Sequence, residues 1–219
     1  MIIDITTAQG PGRMHVDGPT NAQHVLLLGH GAGGGVGAPD LTALATHLPA
    51  RPEPITVVRF EQPWRTAGKK VAPAPKRLDE ALLEALPQLR EQQAWQHLVL
   101  GGRSAGARVA CRTASQLGAD GVLALAFPLH PPGRPDKSRA DELLGVGLPT
   151  LVVQGSRDPF GGTDELRGAI AQASGIELVG IDDAGHELTL PKRASQTTDE
   201  LWEQLAGRIA DFIRTTQSE

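Results

Sequence analysis

Aromatic residues and cysteine are scarce in this sequence. Its 219 residues include three Trp, four Phe and no Tyr, so the hydrophobic core has to be built mainly from Val, Leu, Ile and Ala. The one cysteine, Cys111, excludes an internal disulfide framework and a zinc site made of cysteines. We expect Cys111 to be a small buried residue.

Signals for membrane insertion, secretion and nucleic-acid binding are also missing. No apolar segment approaches the ~20 residues that cross a bilayer. The first residues show no basic stretch followed by a long apolar run, as a signal peptide would. The net charge is −4 with both signs interspersed, so no basic face for a phosphate backbone is evident. We expect a soluble, cytoplasmic protein without a membrane or nucleic-acid partner, and find no signal for an oligomeric state.

Glycine, by contrast, is abundant, with 26 residues. Many of these glycines fall in the stretches Gly29–Gly37, Gly101–Gly106 and Gly155–Gly162. Otherwise the composition, 40% hydrophobic and 21% charged, is that of a globular protein. The length suits one well-packed domain and is short for two, so we expect a single domain over residues 1–219.

Apolar runs alternate with amphipathic helical patterns along the chain. The apolar runs predict six strands, at Val25–Leu28, Ile55–Phe60, Leu98–Leu100, Val122–Phe127, Thr150–Gln154 and Glu177–Ile181. Helices are predicted over Asp40–His47, Leu78–Gln92 and about Asp199–Thr215. This alternation predicts a mostly parallel sheet between two layers of helices, a three-layer α/β/α sandwich.

Two segments rich in proline and basic residues interrupt the alternation. Both Glu61–Lys76 and Leu129–Arg139 follow the C-terminal end of a predicted strand, where α/β proteins build their sites. The strands and helices use nearly all of the chain, which leaves no room for a cap domain. We therefore expect a cleft that is covered only by these two segments.

A G-x-S-x-G motif with Ser104 at its centre joins the third predicted strand to small residues of helical character. A nucleophilic serine has to project from a sharp strand-to-helix turn, and flanking glycines let the strand and the helix approach closely. The first N–H groups of the helix point at the developing oxyanion, so the Ala105 N–H is a candidate donor. The alternative is a glycine-rich turn without a catalytic role.

A serine hydroxyl needs a histidine base and an orienting carboxylate to act as a nucleophile. Asp158 and His186 each follow a predicted strand, in the chain order serine, acid, histidine that is usual for such a fold. Asp182 and Asp183 compete for the acid role, but they are so close to His186 in sequence that contact would need a tight loop. We favour a triad of Ser104, Asp158 and His186.

The segment Gly29–Gly37, with the sequence GHGAGGGVG, follows the first predicted strand. It begins as an H-G-x-G loop, which can supply a second backbone donor to an oxyanion hole. We expect that donor to be the Ala32 N–H, with Gly31 as the alternate. The same glycines also match G-x-G-x-x-G, which would indicate dinucleotide binding with Glu61 as the ribose-binding acid. A plain flexible loop is the third interpretation.

Taken together, these motifs resemble the α/β-hydrolase superfamily, in particular its small dienelactone-hydrolase-like branch of predicted hydrolases. The blocks HGAGG, RFEQPWR, GGRSAGARVA, FPLHPPGRP and VVQGSRDPFG carry the resemblance, which covers nearly the whole chain. Dienelactone hydrolases use a Cys nucleophile where this chain has Ser104, so lactone cleavage does not carry over. The branch also resembles a subunit of a chromatin acetyltransferase complex, which keeps a non-catalytic binding or scaffold role open.

The expected function is that of a serine hydrolase, esterase- or thioesterase-like, that cleaves a small acyl ester through an acyl-enzyme intermediate. A nucleotide-binding protein is the less favoured alternative. We expect no cofactor and no metal, and the partner is a small-molecule ester or thioester. Arg103, Trp64 and Arg65 are candidate substrate-binding residues that would favour an anionic substrate, whereas Lys69 and Lys70 are expected to face solvent.

Overall fold

Eight strands form one sheet in the computed structural model, which describes residues 1–216. In chain order the strands are β1 (Ile2–Thr7), β2 (Gly10–Asp17), β3 (His24–Gly29), β4 (Thr56–Glu61), β5 (His97–Arg103), β6 (Gly121–Leu125), β7 (Thr150–Gly155) and β8 (Ile176–Ile181). Their order across the sheet is β1-β2-β4-β3-β5-β6-β7-β8. Strands β3 to β8 pair in parallel, whereas β2 is antiparallel to both β1 and β4.

Helices cover both faces of this sheet, so the predicted three-layer α/β/α sandwich is confirmed. They are α1 (Pro39–His47), α2 (Pro63–Thr66), α3 (Pro75–Arg90), α4 (Ala105–Thr113), α5 (Ala140–Leu144), α6 (Thr163–Ala169) and α7 (Thr198–Thr215). Buried residues of α1 and α7 belong to the hydrophobic cluster on one face. Buried residues of α3, α4, α5 and α6 belong to the cluster on the other.

All six predicted strands are present, with ends that shift by a few residues. The N-terminal hairpin of β1 and β2 was not predicted, and it extends the sheet at one edge. In this hairpin, single apolar residues alternate with polar ones. Its buried residues include Ile3, Ile5, Met14 and Val16, and their neighbours in the strands are partly or fully exposed. That alternation is the signal of a half-buried strand, and it is weaker than the continuous apolar runs of the central strands.

The segment 61–76 is more ordered than the predicted loop. It contains the short helix α2, and α3 already begins within it, at Pro75. Proline is well suited to the first turn of each helix because its missing N–H would have no partner there. The segment 129–139 contains a 3₁₀ turn, Pro135–Lys137. Over the described residues 1–216, no helix combines the length and the apolar character that crossing a bilayer requires.

Candidate active site

Ser104 lies on the sharp turn between β5 and α4. Its backbone adopts φ 52° and ψ −111°, outside the regions that non-glycine residues prefer. Helix and strand approach so closely that a Cβ atom on Gly102 would lie 2.6 Å from the carbonyl carbon of Gly106 in α4. The turn is anchored by the Ser104 N–H, which donates to the Leu125 carbonyl oxygen at 2.9 Å. The serine side chain is therefore presented at the C-terminal edge of the sheet.

His186 and Asp158 meet Ser104 at this edge. The Ser104 hydroxyl oxygen lies 3.0 Å from His186 Nε2, and His186 Nδ1 lies 2.8 Å from Asp158 Oδ2. Because a carboxylate only accepts hydrogen bonds, Nδ1 carries the ring proton of the neutral imidazole. Nε2 is then free to accept the serine proton. The three side chains form one continuous chain of hydrogen bonds.

Both oxygens of the Asp158 carboxylate accept further hydrogen bonds from the protein. Gln154 Nε2 donates to Oδ2 at 2.9 Å, and the Phe160 N–H donates to Oδ1 at 2.8 Å. The side chain is fully buried. These donors fix the direction in which the carboxylate meets His186. The competing Asp183 instead faces Arg157 in an exposed ion pair.

Phe160 also contacts the base directly, with its ring centroid 4.3 Å from that of His186. This apolar neighbour restricts how far the imidazole can rotate. Neither Phe160 nor Gln154 was predicted as a site residue. Both residues could have been predicted from their proximity to Asp158 in the sequence, since they lie within four positions of it.

The loop after β3 carries the predicted oxyanion donor Ala32. The buried ring of His30 fixes this loop through two hydrogen bonds. Nε2 accepts a hydrogen bond from the Gln62 N–H (3.2 Å), and Nδ1 donates one to the Gly31 carbonyl oxygen (2.9 Å). Burial lowers the pKa of His30, so the ring stays neutral and keeps these roles. Neither the Ala32 N–H nor the Ala105 N–H has a hydrogen-bond acceptor among residues 1–216. Both residues line the same cleft as the serine hydroxyl.

Arg103 corrects one expectation, because its side chain is committed to protein groups. Its Nε lies 3.0 Å from Asp40 Oδ2 in a buried ion pair, and its terminal NH2 group donates to the His186 carbonyl oxygen at 2.8 Å. The same NH2 group lies 2.8 Å from Glu187 Oε2. Arg103 therefore fixes the His186 loop to α1 and has little freedom to bind substrate.

Asp40 has an unusual electrostatic environment. Its carboxyl is completely buried, and burial raises its pKa to about 6 although Arg103 opposes the shift. A carboxyl group whose folded-state pKa is raised destabilises the native state as the pH increases through that value. The ion pair limits this cost at neutral pH, when Asp40 is charged.

Replacing Arg103 with Met should destabilise the protein most strongly at high pH. The buried Asp40 charge would lose its partner, and such a loss costs about 3 kcal/mol of unfolding free energy. Well below its pKa, Asp40 is protonated and the penalty shrinks. Urea unfolding of R103M and the wild type at about pH 8 and about pH 5 measures the difference.

The matched control for this prediction is the double variant D40N/R103M, in which position 40 no longer carries a carboxyl group that can titrate. Its stability loss relative to the wild type should depend less on pH than that of R103M. An equal loss for R103M at both pH values would show that the charge of Asp40 does not determine the effect.

The triad opens into a surface cleft of about 700 Å³. Besides the serine and histidine, its walls include Arg65, Arg108, Arg139 and Phe160, together with residues of the loop 32–39. The prediction that only segments 61–76 and 129–139 cover the cleft is therefore incomplete. A second cavity of about 690 Å³ lies elsewhere, between α5 and the end of α6, and is lined by residues of 143–149 and 169–176.

Trp64 is a second correction among the candidate substrate-binding residues. It is 5% exposed and lies under the cleft, with its ring centroid 5.5 Å from that of His30. The neighbouring Arg65 does line the cleft, with its guanidinium 6.0 Å above the Trp64 ring. Trp64 thus supports the loop and Arg65. Lys69 and Lys70 are exposed, as expected.

Two further interpretations of the sequence are resolved by local contacts. Cys111 is buried in α4, and burial raises its thiol pKa to about 12, so it cannot act as a thiolate at neutral pH. Glu61, the acid required for dinucleotide binding, lies 3.3 Å from His15 Nε2 on β2. This pairing between β4 and β2 does not favour a role for Glu61 in binding a ribose.

Comparison with known proteins agrees with this architecture. The family model described as "Alpha/beta hydrolase domain" matches residues 22–214, so the chain belongs to the α/β-hydrolase family. An alpha-beta serine hydrolase homologue from Coxiella burnetii has 18% sequence identity and a TM-score of 0.75, with 95% of this chain and 97% of that chain covered.

Two other solved structures show the same fold over most of their length. XC6422 from Xanthomonas campestris, a serine hydrolase without a lid, is 21% identical with a TM-score of 0.73, covering 98% of this chain and 93% of its own. A thermophilic esterase from Thermogutta terrifontis is 17% identical with a TM-score of 0.70, and both chains are covered completely. The predicted α/β-hydrolase fold is confirmed.

Proposed function

We propose that this protein is a serine hydrolase that cleaves small esters or thioesters through a Ser104–His186–Asp158 triad. The observation that carries the proposal is the continuous hydrogen-bond chain from the serine hydroxyl to the buried carboxylate, at the mouth of an open cleft. Esterases among its structural neighbours, such as the one from Thermogutta terrifontis, support an ester as the substrate.

The reaction begins with proton transfer and attack. His186 Nε2 takes the Ser104 proton as the hydroxyl oxygen attacks the carbonyl carbon of the ester. Asp158 holds the imidazole in the tautomer with the proton on Nδ1 and stabilises the positive charge that the ring acquires. The substrate carbonyl oxygen becomes an oxyanion, which accepts hydrogen bonds from the Ala32 and Ala105 N–H groups.

The intermediate then collapses to an acyl-enzyme. His186 gives its proton to the departing alkoxide or thiolate, and the acyl group stays on Ser104. Water enters the cleft, loses a proton to His186 and attacks the acyl carbon. Return of that proton to the serine oxygen releases the acid and restores the enzyme.

The main alternative is a binding or scaffold protein that uses the hydrolase fold without catalysis. Such a protein would not need a serine held 3.0 Å from a correctly oriented imidazole, nor two backbone donors left without acceptors beside it. These features favour catalysis.

A fluorophosphonate probe tests the proposal because it reacts with activated serines. We expect one label per chain, located on Ser104 by tandem mass spectrometry, and much slower labelling of H186Q, which keeps the serine but lacks the base. Absence of labelling in the folded wild type would favour the binding role. Thermal stabilisation by NAD without labelling would instead favour nucleotide binding.

A further inference from the structure

The cleft around Ser104 is positively charged although the whole chain has a net charge of −4. Four arginines line the cleft: Arg65, Arg103, Arg108 and Arg139. Among residues 1–216, Glu187 is the one acidic residue that lines it. A local charge opposite to that of the protein as a whole attracts anions to this cleft.

Two of these arginines are neutralised by the protein. Arg103 pairs with Asp40 and Glu187, as described above. Arg108 forms a two-pronged contact with Glu142: Nε lies 2.7 Å from Oε2, and NH2 lies 2.5 Å from Oε1. The charges of both side chains are therefore already matched.

The other two arginines, Arg65 and Arg139, have no carboxylate within 4.0 Å among residues 1–216. Arg139 is half-buried and donates from NH1 to the Pro128 carbonyl oxygen at 3.1 Å, which leaves its remaining N–H groups unassigned. Burial lowers the pKa of the Arg139 guanidinium, Arg108 adds to this shift, and Glu142 partly opposes it without contacting Arg139. A partly buried cation with no carboxylate in contact is a poor arrangement until an anion pairs with it.

Arg65 and Arg139 also come from different parts of the fold. Arg65 belongs to α2, which follows β4, and Arg139 lies at the end of the segment that follows β6. The two cations therefore reach the cleft from separate segments of the chain. Arg65 lies over the Trp64 ring, which restricts its guanidinium. Planar guanidinium groups of this kind match the geometry of a carboxylate.

We propose that the cleft is built for esters or thioesters that carry a carboxylate, which Arg139 and Arg65 bind beside the nucleophile. This substrate class rests on the proposed serine hydrolase function. The two arginines are specificity-determining residues: they hold the substrate's carboxylate while the triad acts on its neutral ester carbonyl.

The test compares matched substrates that differ only in charge. The first pair is monomethyl adipate and the methyl ester that carries a primary amide in place of its carboxylate. In this pair the charged group lies on the acyl side of the ester. The second pair is 3-carboxyphenyl acetate and 3-carbamoylphenyl acetate, in which the charged group lies on the alcohol side. We expect kcat/KM to favour the carboxylate over its amide by at least about tenfold in one of these pairs, as for hydrogen bonds to charged groups. The preferred pair identifies the side that the arginines bind.

Variants then assign the preference to these residues. R139Q and R65Q should each reduce the carboxylate-to-amide ratio of kcat/KM by about tenfold. R139K keeps the charge but loses the planar guanidinium, so its ratio should lie between those of R139Q and the wild type. The matched control is K137Q, which removes an exposed positive charge from the same segment as Arg139 and should leave the ratio unchanged. High ionic strength should reduce the wild-type preference.

Binding is measured separately from chemistry. Calorimetric titration of Ser104→Ala with each pair of esters gives the affinity for the carboxylate and for the amide without turnover. R65Q provides an independent result if R139Q is poorly folded, because Arg65 lies on another element.

The outcomes separate the two proposals. Fluorophosphonate labelling and hydrolysis of all esters without a carboxylate preference would overturn the substrate class and leave the hydrolase intact. A preference that survives both R139Q and R65Q, or that falls equally in K137Q, would also overturn it. Lack of both labelling and hydrolysis would overturn the hydrolase, and the substrate class with it.

Discussion

Replacement of Ser104 with Ala is expected to lower kcat for ester hydrolysis by about 10⁴- to 10⁶-fold, the range seen when a triad nucleophile is removed. The Cys111 thiol cannot act as a substitute nucleophile, because it is buried and stays protonated. The residual rate would come from the oxyanion donors and substrate binding. The measurement is kcat for a fast ester such as 4-nitrophenyl acetate, together with the unfolding midpoint of the variant.

The comparison for this prediction is Ser115→Ala, which removes an exposed serine beyond the end of α4. It should keep kcat within about twofold of the wild type, because a surface change of this kind has little effect on a distant site. If S104A retained a substantial share of the wild-type rate while folded, the nucleophile would have to be another group.

Replacement of Gly106 with Ala should have the largest effect on stability. A Cβ atom at this position would lie 2.2 Å from the Gly29 carbonyl oxygen and 2.4 Å from its carbonyl carbon. Both atoms belong to the backbone of β3 in the middle of the sheet, so neither can move without displacing a strand. We expect the unfolding free energy to fall by more than about 4 kcal/mol, at the upper end for a single substitution.

Gly168→Ala is the matched control for this substitution. Gly168 is exposed in α6, and a Cβ atom there meets nothing within 4 Å. Because alanine favours helix over glycine by up to about 1 kcal/mol, this variant should be as stable as the wild type or slightly more stable. Urea unfolding measures both variants. A G106A protein with wild-type stability would show that helix and strand are not in such close contact.

The sequence predicts the central sheet and the triad for a simple physical reason. Parallel strands end at the same edge of a sheet, so residues that directly follow β5, β7 and β8 are brought together whatever their separation in the chain. Ser104, Asp158 and His186 all satisfy this rule. Glycines at the turn add a second local signal, because only a residue without a Cβ atom fits between β3 and α4.

The charges around the triad could not be predicted in the same way. Arg103 was chosen as a substrate contact because it precedes Ser104, yet its side chain points into a buried pair with Asp40, a partner 63 positions earlier in the chain. The neutralisation of Arg108 by Glu142 likewise depends on how α4 packs against α5. Which cations remain unpaired is decided by such long-range packing, and no local pattern in the sequence reports it.

Formation of an acyl-enzyme on Ser104 tests the central claim most directly. When the wild type is mixed with excess 4-nitrophenyl acetate in a stopped-flow instrument, we expect a burst of 4-nitrophenolate that approaches one equivalent per chain if deacylation is slower than acylation. Intact-mass analysis of the acid-quenched protein should show one added acetyl group, on the peptide that contains Ser104. Steady ester hydrolysis with the acetyl group on another residue would contradict the account.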